Sequence, residues 1–241
     1  IPLEEVSRLE SLPGEGPEWC AVLPRVWRDR DEPALRTLLE RARALGFTGV
    51  LIGNLGHLPL VRGLNFHLYG DYGLNVFNSR SLAYLKDKEL ESACVSFELR
   101  FAQIRDLKKV LRAEAIVYGR LPLMITENCL VQNETGCRLD RQGPCVPEDG
   151  PCRCGQPNVL VDRTGAAFPL LPAYGHRTEI QNSKPLYLAD RPEHRRLGLA
   201  YARLRFTTET AEECVSVVQN YLDAAPAAGD FTRGLYERGV E

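Results

Sequence analysis

Five of the eight cysteines, Cys129, Cys137, Cys145, Cys152 and Cys154, fall within 26 consecutive residues, and His176 follows 22 residues after the last of them. Thiolates gathered by one stretch of chain bind a soft metal or an iron–sulfur core, or close disulfides. An iron–sulfur cluster takes four ligands, mostly thiolates, because soft sulfur donors stabilise iron in a sulfide core. Zinc accepts four cysteines, or three cysteines and a histidine, in a tetrahedron. Spacing alone does not separate the two metals. No Cys-x-x-Cys pair is present, and the tightest pair is Cys152-Arg153-Cys154. Cys20, Cys94 and Cys214 are isolated in apolar or amphipathic surroundings and read as buried packing residues.

Other catalytic templates are missing from the sequence. There is no Gly-x-Ser-x-Gly elbow, His-Glu-x-x-His helix, phosphate loop or Gly-x-Gly-x-x-Gly turn. A cysteine nucleophile needs a thiol made acidic by a histidine or a cation, and no signature picks such a pair. The chain has 241 residues, 44% hydrophobic and 26% charged, with net charge -2. That supports a sizeable core and does not single out a nucleic-acid binder, although a local basic patch suffices for one. No apolar run approaches the roughly 18 residues of a membrane span, and no signal peptide is read, so a cytoplasmic protein without membrane contact is expected.

The elements that must position these groups alternate. Residues 21–26 and 49–54 read as strands, with an amphipathic helix over residues 32–45 between them, closed by Gly46. A strand and turn over 68–76, a helix over 79–86, a strand over 93–98, a helix over 101–112 and a strand within 114–124 continue the series. Repeated strand–helix units imply an α/β fold with a parallel sheet, TIM-barrel-like in its units. Four or five units do not close eight strands, and the chain begins at Ile1 without Met. The expectation is the later half of a barrel, the rest supplied in cis or by a partner chain. In parallel barrels the loops after the strands form the active face. Asn54, Asn75, Ser96 with Glu98, and Arg120 stand at such ends, and capping of the following helix is the alternative role for each.

After Met124 the pattern changes. Residues 1–126 are expected to form the barrel-like region, and residues 127–241 a Cys-rich segment with a small α+β C-terminal region. Residues 158–170 read as a β-hairpin turned by Asp162-Arg163-Thr164-Gly165. Strands are expected at 185–189 and 197–206, and a helix over 208–224 with Thr207 or Thr208 as its N-cap. Two basic groups, Arg25, Arg28, Arg30 and Arg191, His194, Arg195, Arg196, Arg203, Arg205, suit phosphate but are expected to form a solvated face.

Several ordered runs resemble the collagenase-like peptidases of family U32. They are residues 71–79 (DYGLNVFNS), 117–124 (VYGRLPLM) with 127–129 (ENC), 162–165 (DRTG), 174–183 (YGHRTEIQNS) and 231–236 (FTRGLY). The resemblance implies a TIM-barrel-like core and a four-iron four-sulfur cluster. By position, Cys129 matches the first ligand, Cys137 or its rival Cys152 the second, and Cys154 the third. His176 stands where the fourth cysteine falls. Ligation by three cysteines and His176, recruitment of Cys145, a zinc site and a lost cluster all remain open. Relatives include enzymes that hydroxylate pyrimidines in ribosomal or transfer RNA, some taking oxygen from prephenate. The resemblance thus implies an iron–sulfur-dependent RNA-base hydroxylase, in which Arg177 positions an anionic oxygen donor. Arg177, Glu98 and Asn54 are the candidate catalytic side chains. A peptidase acting on collagen-like or other peptides, and a zinc-stabilised scaffold without chemistry, are the alternatives.

Overall fold

The computed structural model describes residues 1–12, 14, 17–135 and 156–239. The chain divides into two compact units. The first comprises Ile1–Ile116, Glu193–Arg203 and Gly234–Glu241, and the second comprises Val117–Pro192 and Leu204–Arg233.

The first unit is a β/α series: β1 (Cys20–Val22), α1 (Glu32–Ala44), β2 (Gly49–Ile52), α2 (His57–Val61), β3 (His67–Gly70), α3 (Ser79–Asp87), β4 (Ser92–Cys94), α4 (Phe101–Asp106) and the start of β5 (Arg112–Gly119). Strands β1 to β5 pair in sequence order and in parallel, so all end at one edge of a curled half-barrel sheet. The mixed α/β half-barrel expected from the alternation is what forms. Period-2 alternation sends Ala21, Val50, Ile52, Ala93 and Ala113 to one face, where they are buried. Helix α1 buries Leu35, Leu39 and Ala42, the i, i+4, i+7 stripe of an amphipathic helix.

Helix α4 ends at Asp106, short of the expected residue 112. The Lys109 ammonium folds back and donates to the carbonyls of Ile104 (2.7 Å), Arg105 (3.2 Å) and Leu107 (3.3 Å). It thereby closes the helix end, where orphan carbonyls and the dipole favour a cation. Arg112, read as the last helical residue, instead opens β5.

The second unit holds a four-stranded antiparallel sheet in the order β6 (Pro122–Thr126), β9 (Arg177–Gln181), β8 (Ala167–Ala173), β7 (Asn158–Val161). The β7–β8 hairpin is the one expected. Its turn is held by the Asp162 carboxylate, which accepts from the Thr164 N–H (2.8 Å) and the Ala166 N–H (3.0 Å). Strands β6 and β9 were not separately resolved in the sequence. A second cluster packs Tyr118, Tyr187, Ala189 and Val217 with Leu204, Phe206, Tyr221 and Phe231. It joins β10 (Leu186–Tyr187), the end of β11 (Tyr201–Arg205) and α6 (Ala211–Asp223). Gly119 sits at φ +114°, and a Cβ there would lie 2.0 Å from the Arg205 carbonyl oxygen, so only glycine lets the two backbones approach.

The N-cap of α6 is Thr210, not Thr207 or Thr208. Its hydroxyl accepts from the Glu213 N–H (3.3 Å), while the Glu213 carboxylate accepts from the Thr210 N–H (2.7 Å). The reciprocal Thr-x-x-Glu box satisfies two orphan donors and outcompetes the earlier threonines. Cys94 is buried as expected, whereas Cys20 and Cys214 are only half-buried. Among the described residues, no helix is long and apolar enough to cross a membrane.

Candidate functional site

The end of the antiparallel sheet brings together two parts of the cysteine constellation. The last paired residues of β6 and β9 are Thr126 and Thr178, and the last of β8 and β9 are Ala173 and Arg177. Beyond Thr126 the chain continues into Glu127-Asn128-Cys129. Between Ala173 and Arg177 it makes the Tyr174-Gly175-His176 turn. Sheet register therefore sends Cys129 and His176 to the same end of β9. Thr178 ties the first segment down: its hydroxyl accepts from the Leu130 N–H (3.0 Å), and the Thr126 hydroxyl donates to the Thr178 carbonyl (3.2 Å). Helix α5 (Leu130–Thr135) starts directly after Cys129.

Cys129 is a free thiol, 8% exposed, packed with Val131, Leu170, Leu130 and Ile180. Its sulfur accepts the Gln132 N–H at 3.4 Å. Amide hydrogen bonds to sulfur stabilise a thiolate that ligates a metal, so Cys129 fits a ligand. His176 is half-buried and adopts φ 59°, a left-handed turn conformation reached by few non-glycine residues. Cys137, Cys145, Cys152 and Cys154 lie outside the described residues.

Arg177 is 4% exposed. Its Nε and Nη2 donate to the two carboxylate oxygens of Glu127 (3.0 and 2.9 Å), and Nη1 donates to the Tyr174 carbonyl (3.0 Å). The bidentate fork expected to meet an anionic oxygen donor is spent on Glu127. One guanidinium thus clamps the segment leading to Cys129 onto the turn leading to His176. Gly175 sits at φ +72°, where glycine is unstrained, and a Cβ there would lie 2.6 Å from Arg177 Nη1 and push the guanidinium aside.

Glu98 and Asn54 belong to a different place, the edge of the first unit where the parallel strands end. A cleft of about 320 Å³ is lined there by Arg25, Tyr72, Gly73, Asn75, Ser96, Phe97 and Glu98. These residues follow β1, β3 and β4, as the rule for parallel sheets requires. Asp71 caps the turn after β3 by accepting the Tyr72 N–H (2.8 Å), and Asn75 closes it in the left-handed region. Gly73 lets that turn approach: a Cβ would lie 2.6 Å from the Gly53 carbonyl oxygen. The Ser96 hydroxyl accepts the Glu98 N–H at 3.3 Å. The Arg25 guanidinium lies 5.4 Å from the centre of the Tyr72 ring, and Tyr72 and Phe97 meet at 5.9 Å with 50° between their planes. Asn54 does not line the cleft. It supports it, with Nδ2 3.5 Å from the Arg25 carbonyl oxygen and Oδ1 accepting the Gly56 N–H (2.8 Å).

The basic groups are not one solvated face. Arg203, half-buried, pairs with Asp71 and Glu114 in the first unit. Arg205 pairs with Glu179 (2.9 Å) in the second unit and donates to Gln181 (2.7 Å). Burial raises the Glu114 carboxyl above its usual range, against the pull of Arg203. Burial likewise pushes the Cys94 thiol far up and Cys20 up to about 11, so neither is an activated nucleophile.

A profile of peptidase family U32 matches residues 13–159, more than half of the chain, including the runs 71–79, 117–124 and 127–129. The chain belongs to peptidase family U32. No curated protein and no solved structure matches it significantly. The family match takes in Cys129, Asn54, Glu98 and the whole cleft, and ends before His176 and Arg177. Arg25, Tyr72 and Phe97 were not singled out by sequence for this cleft. The usable signal was their place after successive strands.

Proposed function

We propose that this U32 protein is an iron–sulfur-dependent hydroxylase of a pyrimidine base in ribosomal or transfer RNA. The observation that carries the reading is the convergence of Cys129 and His176 at one end of β9, on either side of the ion pair between buried Arg177 and exposed Glu127. Cys129, Cys137 or Cys152, Cys154 and His176 are the residues assigned to hold a four-iron four-sulfur cluster. Such a cluster supplies redox chemistry and a site that polarises an oxygen donor such as prephenate, which side chains alone do not. A neutral imidazole in the fourth position raises the potential relative to thiolate.

The chain's own residues prepare that site. Arg177 fixes the separation of the Cys129 segment and the His176 turn, and it is a positioning residue in this account. Packing of Val131, Leu170 and Ile180 around Cys129 keeps water from its sulfur. The peptidase alternative needs an activated nucleophile. Among the residues lining the cleft there is no cysteine or histidine, and the Ser96 hydroxyl has no histidine beside it in that lining. The test is mass analysis of RNA from a deletion strain, complemented with the wild-type protein or with Cys129→Ser. Loss of a hydroxylated pyrimidine, restored only by wild type, is expected. Unchanged RNA in the deletion strain refutes the reading.

A further inference from the structure

We infer that the outer edge of β7 (Asn158–Val161) is a dimer interface, on which a second copy of this chain adds the same strand antiparallel to it. Strand β7 ends the four-stranded sheet, and among the described residues no strand pairs on its far side. Its three apolar residues are open: Val159 is 55% exposed, Leu160 46% and Val161 58%. Successive strand residues point to opposite faces, so neither face of β7 is sealed against a core. Exposed apolar side chains on both faces of an edge strand form a template for another strand.

The hairpin fixes which backbone groups face outward. The Asp162 N–H donates to the Ala166 carbonyl at 3.1 Å, inside the turn. Hydrogen-bonded positions alternate along an antiparallel pair, so Leu160 with Phe168 and Asn158 with Leu170 are the next bonded pairs. Val159 and Val161 therefore turn their N–H and C=O groups away from β8. Pro169, which has no N–H, stands opposite Val159, a non-bonded position that tolerates it.

Those outward groups specify the partner. When two β7 strands pair antiparallel, Val159 meets Val161 of the partner subunit and Val161 meets the partner's Val159, each pair exchanging backbone hydrogen bonds. Leu160 meets the partner's Leu160 on the two-fold axis, in the close non-bonded position. Centring the axis on Val159 instead sets Val161 against the partner's Pro157, which has no N–H to give. The first register is the one that uses every outward group. It also sets Asn158 opposite the partner's Asp162, so no like charges meet. The edge is thus complementary to itself, as a two-fold dimer requires. The opposite edge of the sheet, β6, carries Pro122 and a register irregularity between Pro122 and Met124, devices that discourage pairing. Association through β7 therefore closes at two copies.

The test is sedimentation equilibrium of the whole chain under reducing conditions, which keep its cysteines from cross-linking. So short a strand buries well under the roughly 800 Å² per partner of a standard complex, so a dissociation constant on the order of 100 µM is expected. Val159→Pro removes an outward N–H that the monomer's own ladder does not use. Leu160→Lys sets two cations against each other on the axis. Each is expected to weaken the dimer by at least about 10-fold with circular dichroism unchanged. Leu160→Lys, at an exposed position, keeps the test decisive if the proline variant does not fold. Leu160→Cys, briefly oxidised with oxidised glutathione, is expected to give a disulfide between the two copies of that position in peptide mapping. A wild type that is monomeric at several hundred micromolar, roughly above that constant, overturns the inference. A monomer that instead binds a synthetic extended Val-Thr-Val-Thr peptide likewise overturns it, and gives the edge to a foreign strand. A dimer unmoved by Val159→Pro and Leu160→Lys, with no disulfide at position 160, places the contact elsewhere and overturns it too.

Discussion

His57 gives the sharpest quantitative prediction for the scaffold under the cleft. Its ring is fully buried in α2, with Nε2 3.1 Å from the Pro24 carbonyl oxygen and Nδ1 without a hydrogen-bond partner. The Nε2–H must be the donor, which sets the neutral tautomer and holds the turn that presents Arg25. A second proton on Nδ1 would be a buried charge with nothing to receive it. Burial accordingly lowers the pKa from 6.5 to about 4, against smaller raising effects of Pro24 and Asp71. A depressed histidine contributes stability that is present above the unfolded pKa and is lost as pH falls towards the folded one. The full gap is worth roughly 3 kcal/mol, of which about 2 kcal/mol disappear between pH 7 and pH 5. The perturbation is acidification of wild type beside His57→Leu, which removes the titration at the cost of a pH-independent loss. Urea unfolding followed by circular dichroism should show wild type losing about 2 kcal/mol more than the variant over that interval. An NMR titration should show His57 neutral at pH 5. His67, more than half exposed and raised chiefly by its hydrogen bond to Glu91, should protonate above the usual range in the same spectra. Parallel stability curves for wild type and His57→Leu, or a His57 that titrates near its ordinary value, would refute the reasoning.

Gly119→Ala places a Cβ against the Arg205 carbonyl at a strongly positive φ, and should cost on the order of 3 kcal/mol in urea unfolding. Thr210→Ala removes the α6 N-cap and should cost about 1 kcal/mol, whereas Thr207→Ala should leave the cap intact. If His176 is a ligand, His176→Cys restores an all-thiolate set, and the visible spectrum of the variant should survive air longer than that of wild type. Identical decay would remove His176 from the ligand set.

The half-barrel was legible because parallel β/α units carry two strong signals, buried apolar runs for strands and an i, i+4, i+7 stripe for α1. Helix α4 was overextended because its periodicity runs on, and only the fold-back of Lys109 closes it. Strands β6 and β9 were missed because each finds its partner about 55 residues away, as Thr126 with Thr178, and β9 is largely polar. Single-sequence patterning does not see such long-range pairing. The same limit applied to Arg177 and Arg203. Side-chain type gives a cation suited to an anion, but the carboxylates that take them, Glu127, Asp71 and Glu114, are distant in sequence. The cysteines were legible as a constellation from spacing alone. That Cys129 and His176 share one sheet end follows only from strand register.

Metal content tests the proposed cluster most directly. Protein purified without oxygen should contain iron and sulfide and absorb broadly near about 400 nm, as thiolate–iron charge transfer does. Cys129→Ser should lower both the iron content and the absorption while leaving the circular dichroism of the fold unchanged. A colourless wild-type protein free of iron, or one that holds zinc instead, would contradict the cluster and with it the proposed reaction.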